Sequence, residues 1–364
     1  MVKKEINERT WINSYIAELN YFFSKNNFTK IKSIYFGGGT PSLMSIEILD
    51  NIISHIVKKF TIDDNIEITI ESNPSSLTLN NLMNYKNIGI NRVSLGVQSF
   101  NDTDLKFLGR DHTSKDAKTS LSNIQKIFAR SSFDIIYGLP EQSIKSWKKN
   151  LSKILEYAKA SGHISLYQLT IEPGTPFYKQ KNMKKFTMPN DDFLADMYIA
   201  TQEETDKMGL PAYEISNYAQ KNQESIHNIG YWRYDEFVGV GPGAHSRINI
   251  NGSRRAFKQI ESPTNWITSV SSNGHGTFSD IQLNVNDIAL EILLTGLRLK
   301  EGVNSKTFNS LTSKNLSKLT ANPKLNTLFE NDLVYWKNSY LIATTKGQLV
   351  LNSILNQFEK VIDN

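Results

Sequence analysis

Four polar residues stand where short apolar runs end. Glu71 follows residues 66–70, Gln98 follows 92–97, Asp134 lies within 133–138, and Arg110 sits in the loop after the run 92–97. In parallel βα folds, side chains at strand C-termini face the ligand crevice. A carboxylate at that rim binds an amine, and an arginine grips a carboxylate through two hydrogen bonds. Glu71, Arg110 and Asp134 together therefore suit a zwitterionic, amino-acid-like ligand. Any one of them alone is more often a surface or loop ion-pair residue. Four at consecutive strand ends make that the weaker interpretation.

Gly37-Gly38-Gly39-Thr40-Pro41 follows the first apolar run. Consecutive glycines let backbone N–H groups approach a ligand closely, although a lone glycine run is ordinarily a tight strand-to-helix turn. Neither the phosphate-loop nor the dinucleotide fingerprint is present. A second constellation is His227-Asn228-Ile229-Gly230-Tyr231-Trp232. A neutral imidazole ligates iron, and aromatic rings pack against a flat macrocycle. Taken without context, a core or surface histidine beside aromatic packing is the commoner arrangement. His245 is expected to support a Gly-rich loop and His112 to orient the loop that carries Arg110. His55, His163 and His275 have no neighbours that raise them.

These residues are strung on an alternating pattern. Helical stretches at 11–23, 45–59, 79–87, 114–128 and 143–158 separate short strands at 34–36, 66–70, 92–97, 133–137 and 164–170. Such alternation predicts parallel βα units, hence an α/β chain with a TIM-like or partial barrel. A doubly wound open sheet is the alternative for the same order. Residues 180–275 lose the rhythm and read as an extension, and 271–278 reads as a linker. From residue 286 a small α-rich domain follows, with Asp287 as a helix cap, a hairpin at 333–336 and 340–342, and one final helix at 345–358. Helices followed by a hairpin suggest a winged-helix-like module. Domain boundaries are expected at 1–180, 181–279 and 280–364.

The 364 residues are 39% hydrophobic and 21% charged, enough for a sizeable core. The net charge of +5 is dispersed, and pairs such as Lys184-Lys185 read as solvated surface, so no nucleic-acid role is expected. There are no cysteines, which excludes disulfides and thiolate chemistry within this chain and fits a cytoplasmic location. The N-terminal residues 1–5 are polar and lack an apolar signal core. The apolar stretch 288–299 carries Glu291 and Arg298, so no stable membrane insertion is expected.

Tyr35-Phe36-Gly37-Gly38-Gly39-Thr40-Pro41-Ser42 resembles the S-adenosylmethionine (SAM)-contacting glycine motif of the oxygen-independent coproporphyrinogen-III-oxidase-like radical SAM family. Glu71-Ser72-Asn73-Pro74, Gly96-Val97-Gln98-Ser99-Phe100, Leu108-Gly109-Arg110-Asp111-His112 and the run Asp134 to Pro140 resemble its later motifs in the same order. The resemblance implies a partial (βα)6 radical SAM barrel. It places Gly38, Gly39, Thr40, Glu71, Gln98, Arg110 and Asp134 around SAM. Tyr213-Glu214-Ile215-Ser216-Asn217-Tyr218 and His227-Asn228-x-x-Tyr231-Trp232 are similar to the family's heme-chaperone branch. That similarity implies heme bound through His227, Asn228, Tyr231 and Trp232 and passed to heme-accepting proteins. A homodimer is compatible with it.

The family opens with a Tyr-x-His strand and a Cys-x-x-x-Cys-x-x-Cys loop holding a [4Fe–4S] cluster, and this sequence contains neither. The first barrel strand is therefore expected to be missing, with a truncated or misassigned start the favoured explanation over a protein that works without a cluster. No catalytic residue and no metal ligand is assigned. The leading expectation is a heme chaperone on a radical SAM scaffold. The alternatives are a coproporphyrinogen III dehydrogenase, which would need the cysteines, and a cluster-less binding protein.

Overall fold

The computed structural model describes residues 7–26, 28 and 30–362; the polar segment 1–5 lies outside them. In chain order the helices and strands are α1 (Glu8–Phe23), β1 (Lys30–Phe36), α2 (Ile46–Lys59), β2 (Thr61–Ser72), α3 (Leu79–Asn87), β3 (Arg92–Gln98), α4 (Asp102–Phe107), α5 (Ser114–Ile127), β4 (Arg130–Tyr137), α6 (Ile144–Ser161), β5 (His163–Gln168), α7 (Pro176–Asn182), α8 (Asp191–Lys207) and β6 (Asn217–Ala219). They continue as α9 (Ile226–Trp232), β7 (His245–Ile250), β8 (Ser253–Gln259), α10 (Pro263–Asn273), β9 (Thr277–Gln282), α11 (Val285–Gly296), β10 (Val303–Asn304), α12 (Ser305–Thr312), α13 (Leu316–Thr320), α14 (Asn326–Glu330), β11 (Val334–Lys337), β12 (Tyr340–Ala343), α15 (Thr345–Leu349) and α16 (Leu351–Ile362).

The first six strands form one sheet in the order β1-β2-β3-β4-β5-β6. Strands β2 to β5 run parallel, and the short β6 closes the series antiparallel to β5. The expected α/β barrel-type order is therefore present, ending in an antiparallel strand. Helices begin where the sequence supplies caps. Ser45 accepts from the Ile48 N–H, and Thr113 and Asp116 form a reciprocal capping box. Gly162, in the left-handed conformation, ends α6 and turns the chain into β5.

The chain forms two compact units. One comprises residues 35–43 and 67–225. In it, strand alternation sends apolar side chains to one face of the sheet: Val93, Leu95 and Val97 of β3, and Phe133, Ile135 and Tyr137 of β4, are all buried. They pack under outer helices through Leu121, Ile124, Trp147, Leu151 and Leu155. The opposite face carries polar side chains: Glu67, Thr69 and Glu71 of β2, Ser94 and Gln98 of β3, Ser132 and Asp134 of β4, and His163 and Ser165 of β5. Its floor is an ion pair, with Glu67 fully buried, 3.1 Å from Arg130 and 3.9 Å from Arg92.

The other unit comprises residues 1–34, 44–66 and 226–364. Phe22 of α1 packs edge-on against Phe257 of β8 in a cluster with Ile248. The antiparallel sheet β7-β8-β9 and the small sheet β10-β12-β11 both lie in this unit. The segment 271–278, expected as a linker, is instead the end of α10, its Gly274 cap and the start of β9. The cap of α11 is Asn284 rather than Asp287, which completes the capping box from the third helical position. The stretch 345–358 holds two helices rather than one, with Val350 at the break. Among the described residues no helix is long and apolar enough to cross a membrane.

Glu18 of α1 is fully buried and accepts from the Trp266 indole at 3.0 and 3.1 Å, from Gly276 N–H at 2.7 Å and from Gly241 N–H at 2.8 Å. A side chain on Gly276 would strike the Trp266 ring, so this approach requires glycine. One carboxylate thus ties α1, α10 and two loops together. Removing it leaves three buried donors without an acceptor, at roughly 1–3 kcal/mol each where no water enters. Glu18→Ala is expected to lower stability by about 3 kcal/mol or more, against about 0.5 kcal/mol or less for exposed Asn13→Ala, measured by urea unfolding.

Candidate functional site

The C-terminal ends of the parallel strands carry a polar cluster. The Tyr35 hydroxyl of β1 donates to Glu71 Oε1 at 2.7 Å, and the Gly38 N–H donates to Glu71 Oε2 at 3.2 Å. Glu71 therefore links two strands to the glycine turn. Gly38 and Gly39 adopt φ values of 80° and 61°, where side chains are strained. Nothing lies within 4 Å of where their Cβ atoms would be, so the turn faces open space. Gly37 is required for another reason: a methyl there would meet the Tyr35 ring at 2.6 Å and Glu71 Oε1 at 3.2 Å. Thr40 closes the turn by accepting from the Leu43 N–H at 3.0 Å.

Asp134 lies on β4, paired in register with Ser165 of β5. Burial pushes its carboxyl up to about 6; the nearby Glu71 charge adds to the rise, while the Ser165 hydroxyl, Arg92 and Arg110 draw it back. Glu71 and Arg110 thus both lie within electrostatic reach of Asp134. Arg110 itself is exposed, in the loop after α4. Gln98 ends β3 in the left-handed conformation at φ 65°, beside a register shift between Leu95 and Gln98. Its amide turns back over Gly96, where a methyl would sit 3.0 Å from Gln98 Nε2 and 3.2 Å from Asn73 Oδ1. A strained non-glycine residue of this kind clusters at functional sites. Gln98 and Asn73 thus converge at the ends of β3 and β2, while Thr40 stands in the glycine turn.

Sequence reasoning passed over several residues here. Tyr35 anchors Glu71, and burial with the Glu71 charge holds its phenol far above the ordinary range. Tyr167, two residues beyond Ser165 on the same face, is 41% exposed. His163 is buried between Ser132 (2.7 Å) and Tyr213 (2.9 Å), and burial holds its pKa well below the ordinary range, with Arg92 and Arg130 adding to this. The signal for all three was strand alternation: they share the polar face with Asp134. His112 is buried and bonded to the Val97 carbonyl at 3.0 Å, which joins the Arg110 loop to β3.

In the other unit, α9 carries His227, Asn228, Tyr231 and Trp232. His227 and Tyr231 are four residues apart on one helix face, with ring centroids 5.8 Å apart. Tyr231 also lies against Phe237 at 4.3 Å. Trp232 turns away, under the Arg298 guanidinium at 4.5 Å. Phe237 had no signal in the sequence, because the turn at Tyr234 brings it back. The His245 ring is exposed at the start of β7; it is the His245 backbone that packs against Gly239, at 2.1 Å from the place of a Cβ.

A [4Fe–4S] cluster is held by cysteine thiolates. The sequence has none, and no group of three His, Cys, Asp or Glu among the described residues is placed for a metal. The residues present do not fit a cluster. What the strand ends do offer is an open glycine turn beside Glu71, with Asp134 and Arg110 supplying charges of both signs.

The Asp134 value sets a pH dependence. Its folded pKa of about 6 lies above the 3.8 of a free carboxyl. Its contribution to stability is therefore fully present below about pH 3.8 and is lost as pH rises through about 6. Asp134→Asn, which mimics the protonated form, is expected to gain in melting temperature relative to the unaltered chain between pH 4 and pH 8. A difference independent of pH would contradict this.

Residues 18–154 match the Radical SAM superfamily. A mitochondrial radical S-adenosyl methionine domain-containing protein 1 of Danio rerio is 37% identical over 83% of this chain and 69% of its own length. The heme chaperone HemW of Buchnera aphidicola subsp. Schizaphis graminum is 34% identical over 98% of this chain and 92% of its own. Among solved structures, coproporphyrinogen III oxidase (HemN) from Escherichia coli superposes with a TM-score of 0.78 at 19% identity, covering 98% of this chain and 84% of that one. That last likeness concerns the fold, whereas the sequence matches extend along almost the whole chain, and on them the chain belongs to the HemW-like family of radical SAM proteins.

Proposed function

We propose that the chain binds heme at α9 and passes it to an acceptor protein, as a heme chaperone built on a radical SAM scaffold. The observation that carries this is the face formed by His227 and Tyr231, with Phe237 packed against Tyr231. An imidazole beside offset aromatic rings supplies an axial ligand for iron and a flat apolar wall for the macrocycle. Relatives named heme chaperones support it. On this reading His227 is the ligand, Tyr231 contacts the ring plane, and Asn228 and Trp232 hold the helix. Residues 181–279 contain the heme segment and 280–364 a winged-helix-like module, in a cytoplasmic protein.

The second element of the proposal is SAM at the strand ends in residues 1–180. Gly38 and Gly39 would present backbone to it, Glu71 and Asp134 would meet its amino or hydroxyl groups, Arg110 its carboxylate, and Gln98 and Thr40 would bound it. SAM supplies a sulfonium and an amino-acid moiety. What the chain's own residues do is bind and orient these, with Tyr35 fixing Glu71.

Heme titration of purified protein, followed by Soret absorbance, tests the first part. His227→Ala is expected to weaken binding at least tenfold and shift the Soret band. Equal affinity and equal spectra would remove His227 from the site. For the second part, calorimetry is expected to show SAM binding weakened at least tenfold by Glu71→Ala, with the heme titration unchanged. Loss of both signals together would point to a folding defect.

A further inference from the structure

Helix α9 has seven residues, too few to hold a conformation by its own backbone bonds. What holds it is the segment from α11 to Glu301. Three consecutive side chains at and after its C-terminus each engage that segment. The Trp232 ring lies under Arg298. Arg233 clamps Glu301 through Nε at 2.6 Å and Nη2 at 2.8 Å. Tyr234 donates its hydroxyl to Glu291 Oε2 at 2.5 Å. Glu291 is in turn gripped by Arg247 of β7, with distances of 2.7 to 3.0 Å.

Two features mark these ties as more than surface ion pairs. Tyr234 is buried in the left-handed conformation at φ 62°, a strained state that persists only where its surroundings over-determine it. The Trp232 indole nitrogen is buried without a hydrogen-bond partner among the described residues, so its ring face, against the Arg298 cation, is what is held. Successive helical residues are about 100° apart around the axis. Fixing Trp232 on Arg298 therefore fixes the roll of α9, and with it the direction in which His227 and Tyr231 face.

We propose that residues 285–301 form a positioning platform for the heme face of α9, with Arg298 and Glu291 as positioning residues that never touch the ligand. Without the Arg298 cation, α9 rolls and the His227–Tyr231 face loses its geometry, although both side chains remain. This rests on the heme reading of α9, and the experiment separates the two.

The full chain is titrated with hemin as wild type, Arg298→Ala, Arg298→Lys, Glu291→Gln and His227→Ala, with melting temperatures recorded. The His227 ring resonances of heme-free protein are followed by NMR, since the Tyr231 ring current acts on them at 5.8 Å. Arg298→Ala is expected to weaken heme binding about tenfold, shift the Soret band and move the His227 resonances, and Glu291→Gln to do so to a smaller degree. Arg298→Lys, which keeps a cation over the ring, is expected to restore most of the effect. Wild-type affinity, spectrum and resonances in Arg298→Ala would overturn the platform. So would loss of binding in both Arg298 variants with a parallel fall in melting temperature, which is a plain stability role. If wild type and His227→Ala bind hemin alike, the heme reading fails, while the NMR comparison still decides the platform.

Discussion

A carboxylate removed from water needs a cation or several hydrogen-bond donors that share its burial. Glu67 meets that constraint with Arg130 at 3.1 Å and Arg92 at 3.9 Å. Arg130 also donates to the Glu224 carbonyl at 2.6 Å, and Ser225 donates to Glu67, so the ion pair also fastens the chain beyond β6. Because the floor is a paired charge, the face above it can be polar throughout. The neutral Ser132–His163–Tyr213 relay forms the next layer, with Asp134 beyond it inside β4 and Glu71 near the end of β2. An apolar filling of the same sheet would leave no room for such a site.

The two carboxylates of the polar face, Glu71 and Asp134, are held differently. Glu71 accepts from a phenol and a backbone N–H and is fixed in orientation. Asp134 is drawn out of water near that charge, with only a hydroxyl and more distant guanidinium groups to offset it. Burial of this kind lets Asp134 hold or release a proton near neutrality. A bound cation such as a sulfonium or an ammonium would favour its ionised form.

In the other unit the same economy of buried charge serves a different end. Glu18 gathers backbone and indole donors around one carboxylate, while Glu291 gathers Arg247 and Tyr234 around another. The first fixes α1 to α10. The second fixes the residues that follow α9. Short helices and Gly-rich loops carry little stability of their own, so these two carboxylates do what longer elements do elsewhere.

The sequence alone determined the alternation of helices and strands, because periodicity and capping residues such as Ser45, Thr113 and Ser143 act locally. It also marked Glu71 and Gln98 as lying where β2 and β3 end, whereas Asp134, expected at a strand end, lies inside β4 because the strand runs on to Tyr137. It misjudged residues 271–278, where serines and glycines that read as a linker are a helix end and an edge strand. It did not reveal Tyr35, Tyr167 or Phe237 as parts of the candidate sites. Nor did it reveal Arg298 and Glu291 as supports of α9, since ring packing, buried pairing and the left-handed turns at Gln98 and Tyr234 depend on residues far apart in the chain. Local propensity is written residue by residue; the partner of a buried charge or the orientation of a seven-residue helix is decided only when distant segments meet.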